Sequence, residues 1–130
     1  MSHLATVKSQ LKSIEAIRMA CHELGVVLRE GGRARYFDGQ QSDKCDYTIE
    51  LPKPHDRYSV GLKRQPDGTY SLVADDMVAG WDTKLGRNYG LFKQQVAFAT
   101  LRLEAQRKGL RLTREMQPNG TMRVIMTGRF

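Results

Sequence analysis

Between Asp46 and Asp75 apolar and polar residues alternate in three short runs, Asp46–Leu51, Tyr58–Arg64 and Tyr70–Asp75. Alternation is the period of strands that bury one face and wet the other. Pro52 and Pro54 prevent the first run from continuing. The turn at Pro66-Asp67-Gly68 sets a register. A three-residue loop with a left-handed Gly68 places Leu62 opposite Leu72 and Val60 opposite Ala74, so that all four share one face. The same reasoning at Pro118-Asn119-Gly120 pairs Met116 with Met122 and Leu112 with Met126, and sets Glu115 opposite Arg123 on the other face.

Upstream, His3 to Leu11 alternates loosely and reads as a first strand. Ser13 then caps a helix whose Ile14, Ile17, Cys21 and Leu24 recur at helical spacing, and Gly25 suits the left-handed position after its end. A single longer helix from Thr6 is the alternative, because Val7 and Leu11 fall on the same stripe. Glu30-Gly31-Gly32-Arg33 reads as a hairpin turn between Val26–Leu28 and Arg35–Phe37, with Glu30 facing Arg33. Asp38 to Lys44 reads as a polar loop, and residues 75–88 as an irregular segment. A second helix runs from about Tyr89 to Lys108. Phe92, Val96, Ala99 and Leu103 make one apolar stripe, and Phe98, Leu101 and Ala105 a second. A helix apolar on two sides is expected to be wedged, either between sheet and first helix or against another subunit.

The predicted fold is therefore one α+β domain spanning residues 1–130. A mainly antiparallel sheet of about seven or eight short strands carries two helices, in the order β-α-β-β-β-β-β-α-β-β. The echo between Gln65-Pro66-Asp67-Gly68-Thr69 and Gln117-Pro118-Asn119-Gly120-Thr121 admits an internal pseudo-repeat. Common turn chemistry explains it equally well.

Charge adds an asymmetry. The net charge of +7 over 130 residues is carried by the end of the chain: residues 1–80 hold eleven Lys and Arg against eleven Asp and Glu, residues 81–130 ten against three. A basic region attracts phosphate backbones or acidic protein surfaces. Arg87, Lys93, Arg102, Arg107, Lys108, Arg111 and Arg129 are the candidate patch for an anionic partner. Trp81 and Tyr89 are the candidate partner-contact aromatics, although Trp more often lids a core. No segment approaches the ~18–20 apolar residues of a membrane span, and the N-terminus turns polar too soon for a signal peptide, so the expected compartment is the cytoplasm.

Catalytic signatures are weak. Cys21 and Cys45 lack a Cys-x-x-Cys partner, and adjacent Cys21 and His22 point about 100° apart on a helix. Met1-Ser2-His3 has the spacing of an amino-terminal metal clamp, which loss of Met1 would spoil. Asp75, Asp76 and Asp82 hold Mg²⁺ only if they converge. Asp46, Glu50 and Lys53 miss the nuclease Asp…Glu-x-Lys spacing by one residue. There is no Gly-x-Ser-x-Gly elbow, phosphate-cradling loop or dinucleotide turn. The expectation is a non-enzymatic protein without a cofactor, with a Mg²⁺-dependent nuclease as the weakest alternative.

Several stretches together resemble a known family: Met1-Ser2-His3-Leu4, Ala20-Cys21-His22-Glu23-Leu24-Gly25, Asp46-Tyr47-Thr48-Ile49, Val60-Gly61-Leu62-Lys63-Arg64 and Asp67–Asp75. The combination is similar to the conserved reading-frame proteins of cyanobacteria and algal plastids, found also in other bacteria and phages, a domain of unknown function. The resemblance spans nearly the whole chain and rests on turns and core positions. It implies no defined active site. Encoding near AAA-type ATPases and a small ferredoxin-like protein implies an accessory role and a protein partner, an AAA-type ATPase. The first expectation is accordingly an adaptor working through protein contacts, and its rival is nucleic-acid binding through the basic C-terminal third.

Overall fold

The structure, a computed structural model, describes residues 4–36, 39–53, 55–75, 85–86 and 89–128. In chain order the elements are β1 (Leu4–Leu11), α1 (Ile14–Leu24), β2 (Val27–Glu30), β3 (Arg33–Tyr36), β4 (Gln40–Lys44), β5 (Tyr47–Glu50), β6 (Ser59–Arg64), β7 (Tyr70–Asp75), α2 (Gly90–Lys108), β8 (Arg111–Met116) and β9 (Met122–Thr127). The α+β class and antiparallel pairing are those expected. The Thr6 start for α1 is not adopted, since β1 pairs with β7. Residues 40–44, read above as polar loop, form β4 instead.

Five strands make the main sheet in the order β1-β7-β6-β5-β2. Leu62 sits opposite Leu72 as the Pro66-Asp67-Gly68 turn requires. The turn is closed by the Gly68 N–H donating to the Gln65 carbonyl at 2.9 Å, with Gly68 at φ 86°. Asp67 Oδ1 also accepts from the Thr69 N–H at 2.9 Å and the Thr69 hydroxyl at 2.6 Å, which holds the Asp67 carboxyl below its usual pKa. The second turn repeats this atom for atom, Asn119 Oδ1 accepting from Thr121 at 3.1 and 2.6 Å. Both turns join strands that pair with each other, β6 with β7 and β8 with β9.

One face of the sheet presents Ile49, Val60, Leu62 and Leu72, and the helices cover it. α1 begins on Ser13, whose Oγ accepts from the Ala16 N–H at 3.2 Å, and ends on Gly25 at φ 73°. It buries Ala16, Ile17, Ala20 and Cys21, while α2 buries Phe92, Val96 and Ala99 in the same cluster. The first stripe of α2 thus faces the sheet. Phe98 and Leu101, from the second stripe, stay half-buried.

Burial pushes the Cys21 thiol up to about 12, against a slight lowering by Arg18. The folded chain therefore resists ionising Cys21, and the unfolded chain does not. Stability from this group is fully present below about pH 9 and is lost as pH rises toward 12, by about 1 kcal/mol over the first unit. Chemical denaturation at pH 8 and pH 10 should show this loss in the native protein and a smaller one in Cys21→Ala. Equal losses would place the alkaline sensitivity elsewhere.

The opposite face is covered by an unexpected device. The Gly31-Gly32 pair does not turn a hairpin. β2 pairs with β5, setting Glu30 opposite Tyr47, and β3 pairs with β4, setting Arg33 opposite Lys44. Both glycines have positive φ, 75° and 92°, but they make a corner. Hydrogen bonds from Gly31 N–H to Asp46 O (2.7 Å) and from Cys45 N–H to Gly32 O (2.8 Å) carry the pairing around it. The result is one long hairpin, bent so that β3 and β4 lie back over the sheet as a flap. Ala34 and Cys45 seat on Gly61, where a Cβ would come within 2.5 Å of the Cys45 sulfur. The Ser59 hydroxyl accepts from the Arg35 N–H at 2.9 Å and donates to the Arg33 carbonyl at 3.3 Å.

Candidate functional site

The basic residues singled out above are dispersed around α2. Lys93 and Arg102 lie nine residues apart, half a turn around the helix. Arg102 faces α1 beside Met19 and Glu23, whereas Arg107 lies near Ser13 and Glu15 at the other end of the helix pair. Lys108 is tied to Glu104 at 2.9 Å, and this pair holds the Glu104 carboxyl below its usual pKa. Arg111 is exposed at the start of β8. Arg87, Arg129, Trp81, Asp76 and Asp82 lie outside the described residues, as does the Met1-Ser2-His3 clamp. The basic patch is split between flanks, with an acid between two of its members.

Tyr89 is corrected. It is only 7% exposed and precedes α2 in a left-handed conformation, φ 61°, its N–H donating to the Gly86 carbonyl at 3.0 Å. A ring buried in the core cluster cannot meet a partner.

The last hairpin also departs from expectation. Its register is as read, with Leu112 opposite Met126 and Glu115 opposite Arg123. Among the described residues it joins no other sheet, however, and forms a two-stranded arm. Arg114 fastens it to the helices. One nitrogen reaches Glu23 at 2.9 Å, another reaches Gln95 at 3.2 Å, and the guanidinium lies 4.5 Å over the Phe98 ring centre. This contact covers Phe98 of the second stripe, whose Ala105 is buried. The tip is tied to α2 as well, Gln94 Nε2 donating to the Gly120 carbonyl at 3.4 Å, and the arm leaves Met116 57% exposed on one face and Ile125 37% exposed on the other.

A second surface was invisible in the charge count. Where the flap bends back at Gly31-Gly32 it leaves an open cleft of about 500 Å³ against the sheet. Arg29, Arg33, Arg35 and Lys44 line it, with Thr48 at its floor. Its acids are Glu50 and Glu30. The Arg35 fork grips Glu50 at 3.2 and 2.5 Å and also donates to the Asp56 and Arg57 carbonyls, stapling the flap to the sheet. That pairing drives Arg35 further toward its charged form. Glu50 is thus tied into the staple between flap and sheet. Asp46 likewise accepts from the Arg64 N–H at 2.7 Å. Glycines at 31 and 32 with arginines at 29, 33 and 35 are the sequence signal, but only the corner brings them to one cleft.

Cys45 is buried beside the Ser42 hydroxyl at 3.7 Å, in reach of the Asp43 carbonyl. Among the described residues no three His, Cys, Asp or Glu side chains gather as a metal site would need, and no helix is long and apolar enough to cross a membrane. No curated protein and no solved structure matches the chain. A family does, over residues 20–125, from the carboxyl half of α1 through β9. The chain belongs to the family described as protein of unknown function (DUF1257).

Proposed function

We propose that the protein is a non-enzymatic adaptor that works through protein contacts, with the β8–β9 arm as its contact surface. The observation that carries this reading is the arm itself: a ribbon outside the main sheet, anchored at Arg114, that leaves Met116 exposed on one face and Ile125 on the other. Its partner class is an AAA-type ATPase, a choice that rests on the resemblance to the reading-frame proteins of cyanobacteria and plastids. Met116→Asp combined with Ile125→Asp changes two exposed side chains and leaves the core intact. Quantitative affinity purification from the native cell, read by mass spectrometry, should recover an AAA-type ATPase with the natural chain and lose it with the variant. Recovery of nucleic acid in its place, or equal recovery by both chains, would refute the reading.

The rival is nucleic-acid binding through Lys93, Arg102, Arg107, Lys108 and Arg111. It requires affinity that falls steeply with salt, because bound phosphates release counterions. The split of these cations between flanks of α2 weighs against it.

A further inference from the structure

We propose that the cleft under the bent hairpin binds a small anion carrying two or more phosphate groups. The charge at the site is favourable and local. Four cations line the cleft against two carboxylates, and one of those carboxylates, Glu50, is already gripped by the Arg35 fork. Arg29, with its Nε 3.7 Å from Glu50, keeps two-thirds of its side chain in solvent. Arg33 gives one N–H to the Ser42 carbonyl at 3.0 Å, leaving the rest of its fork for a ligand. Lys44 is exposed and has no carboxylate within ion-pair distance among the described residues. Three cations from three strands thus line a space whose acids, among the described residues, are Glu30 and the already paired Glu50.

The walls decide the ligand class. Among the described residues no apolar side chain lines the cleft, which argues against a greasy ligand. The volume lies within the roughly 300–1,000 Å³ of small-molecule sites. Guanidinium forks match phosphate oxygens in pairs, and an ammonium supplies a mobile point charge. At the corner, a Cβ on Gly32 would press to 3.1 Å from the Thr48 hydroxyl, so glycine keeps that floor open. The staple between Arg35 and Glu50 holds the two walls at a set separation before any ligand arrives, so little ordering is left for binding.

Titrating ¹⁵N-labelled protein with inorganic tripolyphosphate at low salt tests the proposal. Saturable amide shifts are expected at Arg29, Gly32, Arg33, Lys44 and Thr48. The double variant Arg29→Ala, Lys44→Ala should bind roughly tenfold more weakly, since each substitution removes a charge-assisted contact. Lys93→Ala with Arg107→Ala removes the same charge elsewhere and should leave affinity unchanged. ATP at the tripolyphosphate affinity assigns the site to the polyphosphate group, and tighter ATP binding assigns it to a nucleotide. Absence of saturable shifts in the cleft, equal weakening by the Lys93 and Arg107 pair, or tighter binding of a short single-stranded oligonucleotide would overturn it. The amide shifts decide the matter in the natural protein even if a variant fails to fold.

Discussion

Phe92→Ala is expected to lower the unfolding free energy by about 3–5 kcal/mol, the range for emptying a fully buried phenyl site. Phe92 is 0% exposed in the first turn of α2, and its N–H donates to the Leu85 carbonyl at 3.1 Å. It packs in the cluster that holds Ile17, Leu62 and Leu72, so its loss leaves a void between helix and sheet. Phe98→Ala, six residues on, should behave differently. Phe98 is half-buried under Arg114, and its removal costs a cation–π contact of roughly 1 kcal/mol and loosens the arm, which Glu23 and Gln95 still hold. Urea denaturation with amide exchange in β8 and β9 separates the two cases. Equal costs would mean that the arm is part of the core and would remove the basis for treating it as a contact surface.

Gly61→Ala is expected to cost about 1–3 kcal/mol by overpacking, although alanine ordinarily suits a strand better than glycine. The new methyl would lie 2.5 Å from the Cys45 sulfur and 3.4 Å from the Ala34 Cβ. The first distance is a clash and the second is ordinary contact. Cys45→Ala deletes the clashing atom. In that background Gly61→Ala should cost close to nothing, and the double-mutant cycle should return most of the single-mutant penalty as coupling. Additive losses would show that the flap does not seat on Gly61. They would also remove the wall that shapes the cleft beside it.

Local chemistry made the turns and helix ends legible. Pro66-Asp67-Gly68 and Pro118-Asn119-Gly120 each supply a left-handed glycine and an Asp or Asn oxygen that takes two bonds from the following Thr. Register follows from the loop length, hence Leu62 opposite Leu72 and Glu115 opposite Arg123. Ser13, Gly25 and Gly109 bound their helices for equally local reasons. Gly31-Gly32 misled because positive φ at two adjacent positions suits a corner as well as a tight turn. Which one forms depends on whether β3 can find a partner in β4, eleven or fewer residues on, and a surface at Ser59 and Gly61. Tyr89 misled because an aromatic at a helix start faces the core or the solvent according to the entry angle of the chain.

The order of residues alone thus determined the fold class, the two helices, the registers of the two Pro-containing hairpins and the dry face of the sheet, because each depends on side-chain period or turn chemistry within a few positions. Tertiary structure decided the rest. It folded β3 and β4 back over the polar face, stapled them with Arg35 and Glu50, gathered Arg29, Arg33 and Lys44 into one cleft, and set the last hairpin apart on Arg114. Those outcomes join residues distant along the chain, Arg114 to Glu23 above all, and no periodicity encodes which distant surface a strand or a guanidinium will meet.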